Sequence, residues 1–141
     1  MEVKFKVLNV NASHPAKQSA GAAGFDLSTV KQITIPANYS VTVPLGLAFE
    51  IPEGYEGQLR MRSSMAQDGL ILLNGVGTID SDYRGEVKAI VHNTTDTDII
   101  LTSGTRLVQL IITQVPNITL VKSDTLTSTL RGSFGFGSTG K

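Results

Sequence analysis

Asn74-Gly-Val-Gly-Thr-Ile-Asp-Ser-Asp-Tyr-Arg-Gly-Glu-Val-Lys-Ala-Ile-Val-His-Asn93 is the stretch around which the chain is organised. Residues 86–93 alternate apolar and polar side chains, the pattern of a strand buried on one face. Just ahead of them, Gly75, Gly77 and Gly85 permit backbone angles that other residues avoid, so a glycine-bent hairpin is expected there. Two carboxylates, Asp80 and Asp82, flank Ser81 and run straight into Tyr83 and Arg84. In an extended chain Asp80 and Asp82 share one face and Ser81 and Tyr83 the other, unless a turn intervenes.

Outward from this segment the same alternation recurs at residues 3–8, 40–44 and 58–62. Denser apolar runs at 45–51, 70–73, 99–101 and 107–112 read as strands buried on both sides, separated by Pro, Gly, Asn and Asp. A helix fits one place. Ser64 and Gln67 stand at capping-box spacing and Gly69 offers a stop, which predicts a helix of about one to two turns after Arg62. Many short strands and hardly any helix make the fold class all-β, a jelly-roll-like β-barrel or sandwich. Residues 1–122 form its core. From 123 to 141 the composition turns to Ser, Thr and Gly, which cannot build a core and predicts a flexible C-terminal arm. Arg131, Phe134 and Phe136 are unusual in a linker and suggest that the arm closes over something.

With 141 residues the chain is one domain that buries roughly two thirds of its unfolded surface. Cysteine is absent, and His14 and His92 alone do not make a zinc site, so any metal meets oxygen ligands. Twelve basic residues balance twelve acidic ones without basic runs, which speaks against a nucleic-acid partner and leaves room for a small anion held by a few arginines. The sequence shows no apolar stretch of membrane-spanning or signal-peptide length, so a soluble, intracellular protein is expected.

Five segments carry a resemblance. They are Ala23-Gly-Phe-Asp-Leu27, Arg62-Ser-Ser64, residues 74–86, Gly104-Thr-Arg-Leu-Val-Gln-Leu-Ile111 and Arg131-Gly-Ser-Phe-Gly-Phe-Gly-Ser-Thr-Gly140. Together and in this order they resemble the five motifs of the trimeric dUTP pyrophosphatases, the dUTPases. Phe134 departs from the fifth motif, standing where glycine is usual. Residues 135–140 also spell Gly-x-Gly-x-x-Gly, but the dinucleotide reading needs a strand before and a helix after, and the sequence given ends at Lys141. Chemistry supports some of the resemblance directly. An arginine and two hydroxyls leading into a helix aim a guanidinium fork, hydroxyls and free N–H groups at one point, which suits phosphate. Arg106 and Gln109, three apart on a strand, are expected on opposite faces, Arg106 in a structural ion pair and Gln109 facing the site.

The resemblance implies the dUTPase-like (β-clip) fold and hydrolysis of dUTP to dUMP and pyrophosphate, which keeps uracil out of DNA and supplies dUMP for thymidylate synthesis. It makes Asp80 the general base that activates water for attack on the α-phosphorus. By chemistry alone Asp82 is its rival, and alignment decides. Arg62, Ser63, Ser64 and Arg131 would stabilise the charge that builds on phosphate. Mg²⁺ is the implied cofactor, held mainly by substrate phosphates, with Asp26 touching it through water. Asn74 and the backbone of Gly77, Thr78 and Ile79 would read uracil, Tyr83 would pack on the deoxyribose, and Gln109 would face the substrate. Phe136 would stack on the base, with Gly137, Ser138 and Thr139 completing the closing arm. A homotrimer with shared active sites follows from the same resemblance. The dCTP deaminases share the fold, but residues 79–85 favour the pyrophosphatase. A regulatory dUTPase-like chain without catalysis is the non-enzymatic alternative.

Overall fold

The computed structural model describes residues 1–136; Gly137, Ser138 and Thr139 lie outside the described residues. Eleven strands and one short helix follow in the order β1 (Lys4–Val7), β2 (Phe25–Ser28), β3 (Ile33–Ile35), β4 (Ser40–Pro44), β5 (Leu47–Glu50), β6 (Tyr55–Met61), α1 (Ser63–Gln67), β7 (Leu70–Leu72), β8 (Gly77–Ile79), β9 (Lys88–Asn93), β10 (Ile99–Leu101) and β11 (Arg106–Gln114). They pair antiparallel into four small sheets, β2-β11-β6-β8, β4-β9-β7, β1-β5 and β3-β10. Leu27, Ile35, Val43, Leu47, Val91 and Leu110 come from all four sheets and meet in one hydrophobic core. The all-β, jelly-roll-like expectation therefore holds, as a sandwich of small sheets sharing one interior.

Strand burial differs from expectation in three places, the first being β1, which is exposed at every residue although alternation at 3–8 predicts one buried face. Residues 70–73 and 99–101 were expected to be buried on both sides, yet Ile71 is 43% and Ile100 60% exposed. β7 lies at the edge of its sheet and β10 belongs to a two-stranded one, so their outward faces are uncovered in a single chain. β5 does bury Leu47, Ala48 and Phe49 in succession.

The helix begins earlier than the capping box suggests. Arg62 is its N-cap residue and Ser64 lies inside the first turn, so no side-chain cap forms. The reason is local: Arg62 still pairs through its N–H with Leu107 O at the end of β6, which sets where the strand yields to the helix. Gly69 closes α1 as expected, at φ +91°, a conformation that disfavours any residue with a Cβ. Met65 packs from α1 onto the core.

Candidate functional site

β8 hangs on the outer edge of β6, with Gly77, Thr78 and Ile79 opposite Leu59, Gln58 and Gly57. The chain then turns sharply, because Tyr83 N–H donates to Asp80 O at 3.1 Å. That turn separates the two carboxylates which an extended strand would have aligned. Asp80 borders a recess of about 300 Å³ lined also by Asn74, Gly77, Thr78, Ile79 and Tyr83, while Asp82 does not line it and opens only onto a neighbouring surface groove. The recess lies at the small end of the range typical of small-molecule sites, roughly 300–1,000 Å³. Geometry thus brings together six of the residues singled out from the sequence. It also distinguishes Asp80 from Asp82, a choice that alternation left open.

Six further residues line the recess without having been singled out: the buried Leu59 and Val87, and Thr42, Glu86, Lys88 and Ile90. Alternation places Thr42, Lys88 and Ile90 on the solvent face of β4 and β9, but only the β4–β9 pairing sets them beside the hairpin. Glu86 signals itself weakly by following Gly85. Its carboxylate is occupied, with Oε1 accepting from Gly46 N–H at 3.0 Å and Oε2 lying 3.9 Å from Lys88 Nζ. Asp80 is exposed.

A second cluster forms around Asp26, whose side chain is only 3% exposed. Arg62 Nε reaches its Oδ1 at 3.2 Å, Arg106 Nη1 its Oδ2 at 3.3 Å, and Gln109 Nε2 its Oδ1 at 3.2 Å. Arg106 and Gln109 were expected on opposite faces, and the structure corrects this. The register of β11 against β2 slips between Arg106 and Val108, so the extra residue, Leu107, restores both polar side chains to one side. Gly24 makes room here as well, since a Cβ on it would press at 3.0 Å on the Cβ of Gln109. Two guanidiniums against one carboxylate leave the cluster with an excess positive charge. Ser63 and Ser64, both exposed, stand beside it at the uncapped start of α1.

A carboxylate offers about four acceptor positions. Asp26 accepts hydrogen bonds from Arg106 and Gln109 and pairs in addition with the Arg62 guanidinium, so part of its acceptor capacity remains for a water on a hydrated cation.

The recess and the cluster do not touch. Ile79 pairs with Gly57, five positions before Arg62, and Asp80 runs on in the opposite direction. At about 3.3 Å per residue, Asp80 and Arg62 lie on the order of 20 Å apart along the sheet. Arg131 and Phe136 are exposed on the C-terminal segment, and neither lines the recess. Arg131 Nε donates to Phe134 O at 2.9 Å within a local turn.

The family model for dUTPase matches residues 10–140. The deoxyuridine 5'-triphosphate nucleotidohydrolase of Wolinella succinogenes is 44% identical over all of this chain and 95% of its own length. That of Paramecium bursaria Chlorella virus 1 is 44% identical over 96% of this chain and 95% of its own. Among solved structures, a dUTPase of Staphylococcus bacteriophage 80alpha with dUpNHpp superposes at a TM-score of 0.91, with 24% identity and 99% of both chains covered. A mutant dUTPase from phage phi11 of S. aureus, described with a structural Mg(II) ion, gives a TM-score of 0.82 at 20% identity, covering 89% of this chain and 98% of that one.

Proposed function

The chain belongs to the dUTPase family, and on that premise we propose that it hydrolyses dUTP to dUMP and pyrophosphate. The observation that carries the reading is the recess itself. It has nucleoside-compatible size, an amide at Asn74, backbone groups at Gly77, Thr78 and Ile79, an aromatic wall at Tyr83 and the exposed carboxylate of Asp80 at its rim.

Uracil presents acceptor, donor and acceptor along its pairing edge, and cytosine reverses two of the three positions. One amide plus fixed backbone donors and acceptors separate the two. Asp80 takes the proton from a water as its oxygen bonds to the α-phosphorus, and the bond to the bridging oxygen breaks to release pyrophosphate. Arg62, Ser63 and Ser64, with Arg131 of the arm, meet the charge that builds on the phosphate oxygens. Asp26, itself hydrogen-bonded by Gln109, holds Arg62 in place at the same time. Asp26 would hold Mg²⁺ through water, and the ion would supply charge neutralisation on the triphosphate. The C-terminal segment from residue 123 acts as the arm, with Phe136 stacked on the base.

The distance between Asp80 and Arg62 supports a homotrimer with shared sites. A triphosphate whose α-phosphorus sits beside Asp80 does not bridge that gap, so the phosphate donors come from a second copy. The uncovered apolar faces at Ile71, Leu73, Ile90 and Ile100 are the kind of surface a closed oligomer buries.

Pyrophosphate release with Mg²⁺ from dUTP, set against dCTP, dTTP and UTP, tests the activity. Turnover of dUTP alone is expected. Ammonia release from dCTP would point instead to a deaminase, and no turnover of any of the four to a binding protein. For the shared site, Asp80→Asn chains are mixed with chains truncated before Arg131. Mixed trimers should regain part of the activity, and verified mixed trimers that stay inactive would remove the shared-site reading.

A further inference from the structure

The hydroxyl end of the Tyr83 ring is held by two residues that lie outside its own turn. Its hydroxyl donates to Glu86 O at 3.0 Å. At the same end, a Cβ built on Gly85 would overlap the ring, reaching 2.6 Å from Cζ and 2.9 Å from Cε2. Such distances do not occur between packed carbons. Gly85 therefore serves the ring and not the backbone, for its φ lies outside the left-handed region that favours glycine.

Glu86, the acceptor, is itself anchored. Its side chain reaches across to Gly46 N–H at 3.0 Å, and the next residue, Val87, exchanges backbone bonds with Leu45 and Leu47. Gly46 stands at φ +68° with a Cβ position already filled by Val30, Ala12 and Asn9, so the partner of Glu86 is held as firmly as Glu86 holds Tyr83.

We propose that Gly85 and Glu86 are positioning residues that set discrimination between deoxyribose and ribose, by fixing the Tyr83 ring as a rigid wall of the recess. This rests on the reading that Tyr83 faces the sugar. Apolar packing that can yield rejects an added hydroxyl by only about a hundredfold, so stronger rejection requires a wall that does not move. Gly85→Ala moves that wall selectively. Alanine adopts the backbone angle without strain, and the atoms that must give way are the far end of the Tyr83 side chain.

The test is the ratio of kcat/KM for dUTP over UTP in Gly85→Ala, in Tyr83→Ala and in the double variant. Gly85→Ala is expected to lower the ratio about tenfold while kcat for dUTP falls less than about threefold, because Gly85 touches no reacting group. In the Tyr83→Ala background the same change should have no further effect, which separates an action through the ring from a general structural one. If Tyr83→Ala collapses the ratio and Gly85→Ala leaves it within about twofold, the proposal is overturned and the sugar-facing role of Tyr83 stands. If Tyr83→Ala leaves the ratio intact, the sugar-facing reading fails and takes the proposal with it. An equal loss from Gly85→Ala in both backgrounds also overturns it. Should Gly85→Ala fail to fold, Glu86→Ala, which removes the tether to Gly46, is run through the same cycle with the same expected pattern and a loss of about threefold.

Discussion

The recess from Asn74 to Tyr83 and the cluster around Asp26 are assembled in contrasting ways. The recess draws half of its walls from ten consecutive residues, and its carboxylate is exposed. The cluster gathers Asp26, Arg62, Arg106 and Gln109 from β2, the end of β6 and β11, across as many as 83 positions, around a buried charge. An exposed group in the first region, such as Asp80, should be alterable without disturbing the fold. In the second, chemistry and stability depend on the same carboxylate, because removing Asp26 leaves two guanidiniums without their buried partner.

The sharpest way to break this contrast is Asp80→Asn. The expected loss in kcat is on the order of 10²–10⁴, the usual worth of a general base, with urea stability changed by less than about 0.5 kcal/mol. A large loss of stability would show that Asp80 is structural after all. Next comes Asp26→Ala, expected to cost about 2–3 kcal/mol in urea denaturation. That is below the full value for a buried pair, because solvent reaches Arg62 and Arg106 and takes over part of the interaction. Its KM for dUTP should rise as Arg62 loses its anchor, and unchanged stability would place the cluster on the same footing as the recess. Phe136→Ala separates function from folding again at smaller scale. A stacked ring contributes about 1 kcal/mol, so KM is expected to rise roughly fivefold with no change in denaturation midpoint. The smallest effect is Glu50→Gln. Its 3.2 Å contact with Lys4 lies between two exposed side chains and should contribute less than about 0.5 kcal/mol, measured by the same unfolding curves.

Much of this was legible before any coordinates. Residues 40–44, 107–112 and, of the expected 86–93, residues 88–93 fall in observed strands because alternation and dense apolar runs report burial directly. β2 and β3 escaped notice, since Phe25–Ser28 and Ile33–Ile35 are too short for either pattern to develop. The helix does follow Arg62 as expected, but Ser64 does not cap it: Ser64 satisfies a local spacing rule, whereas the pairing of Arg62 with Leu107 that sets the helix start is a long-range contact. Arg106 and Gln109 were assigned to opposite faces by a parity argument that a single inserted residue reverses, and a bulge leaves no mark in composition.

The sequence by itself determined that this chain is an all-β protein with a glycine-bent, carboxylate-bearing hairpin, because alternation and glycine placement are properties of neighbouring residues. Only the tertiary structure decided that Asp80 and not Asp82 borders the recess, that Arg106 and Gln109 converge on Asp26, and that Gly85 presses against Tyr83. Each of those outcomes depends on a turn, a register or a close approach. These are selected by the packing of the whole chain and not by any one segment's preferences.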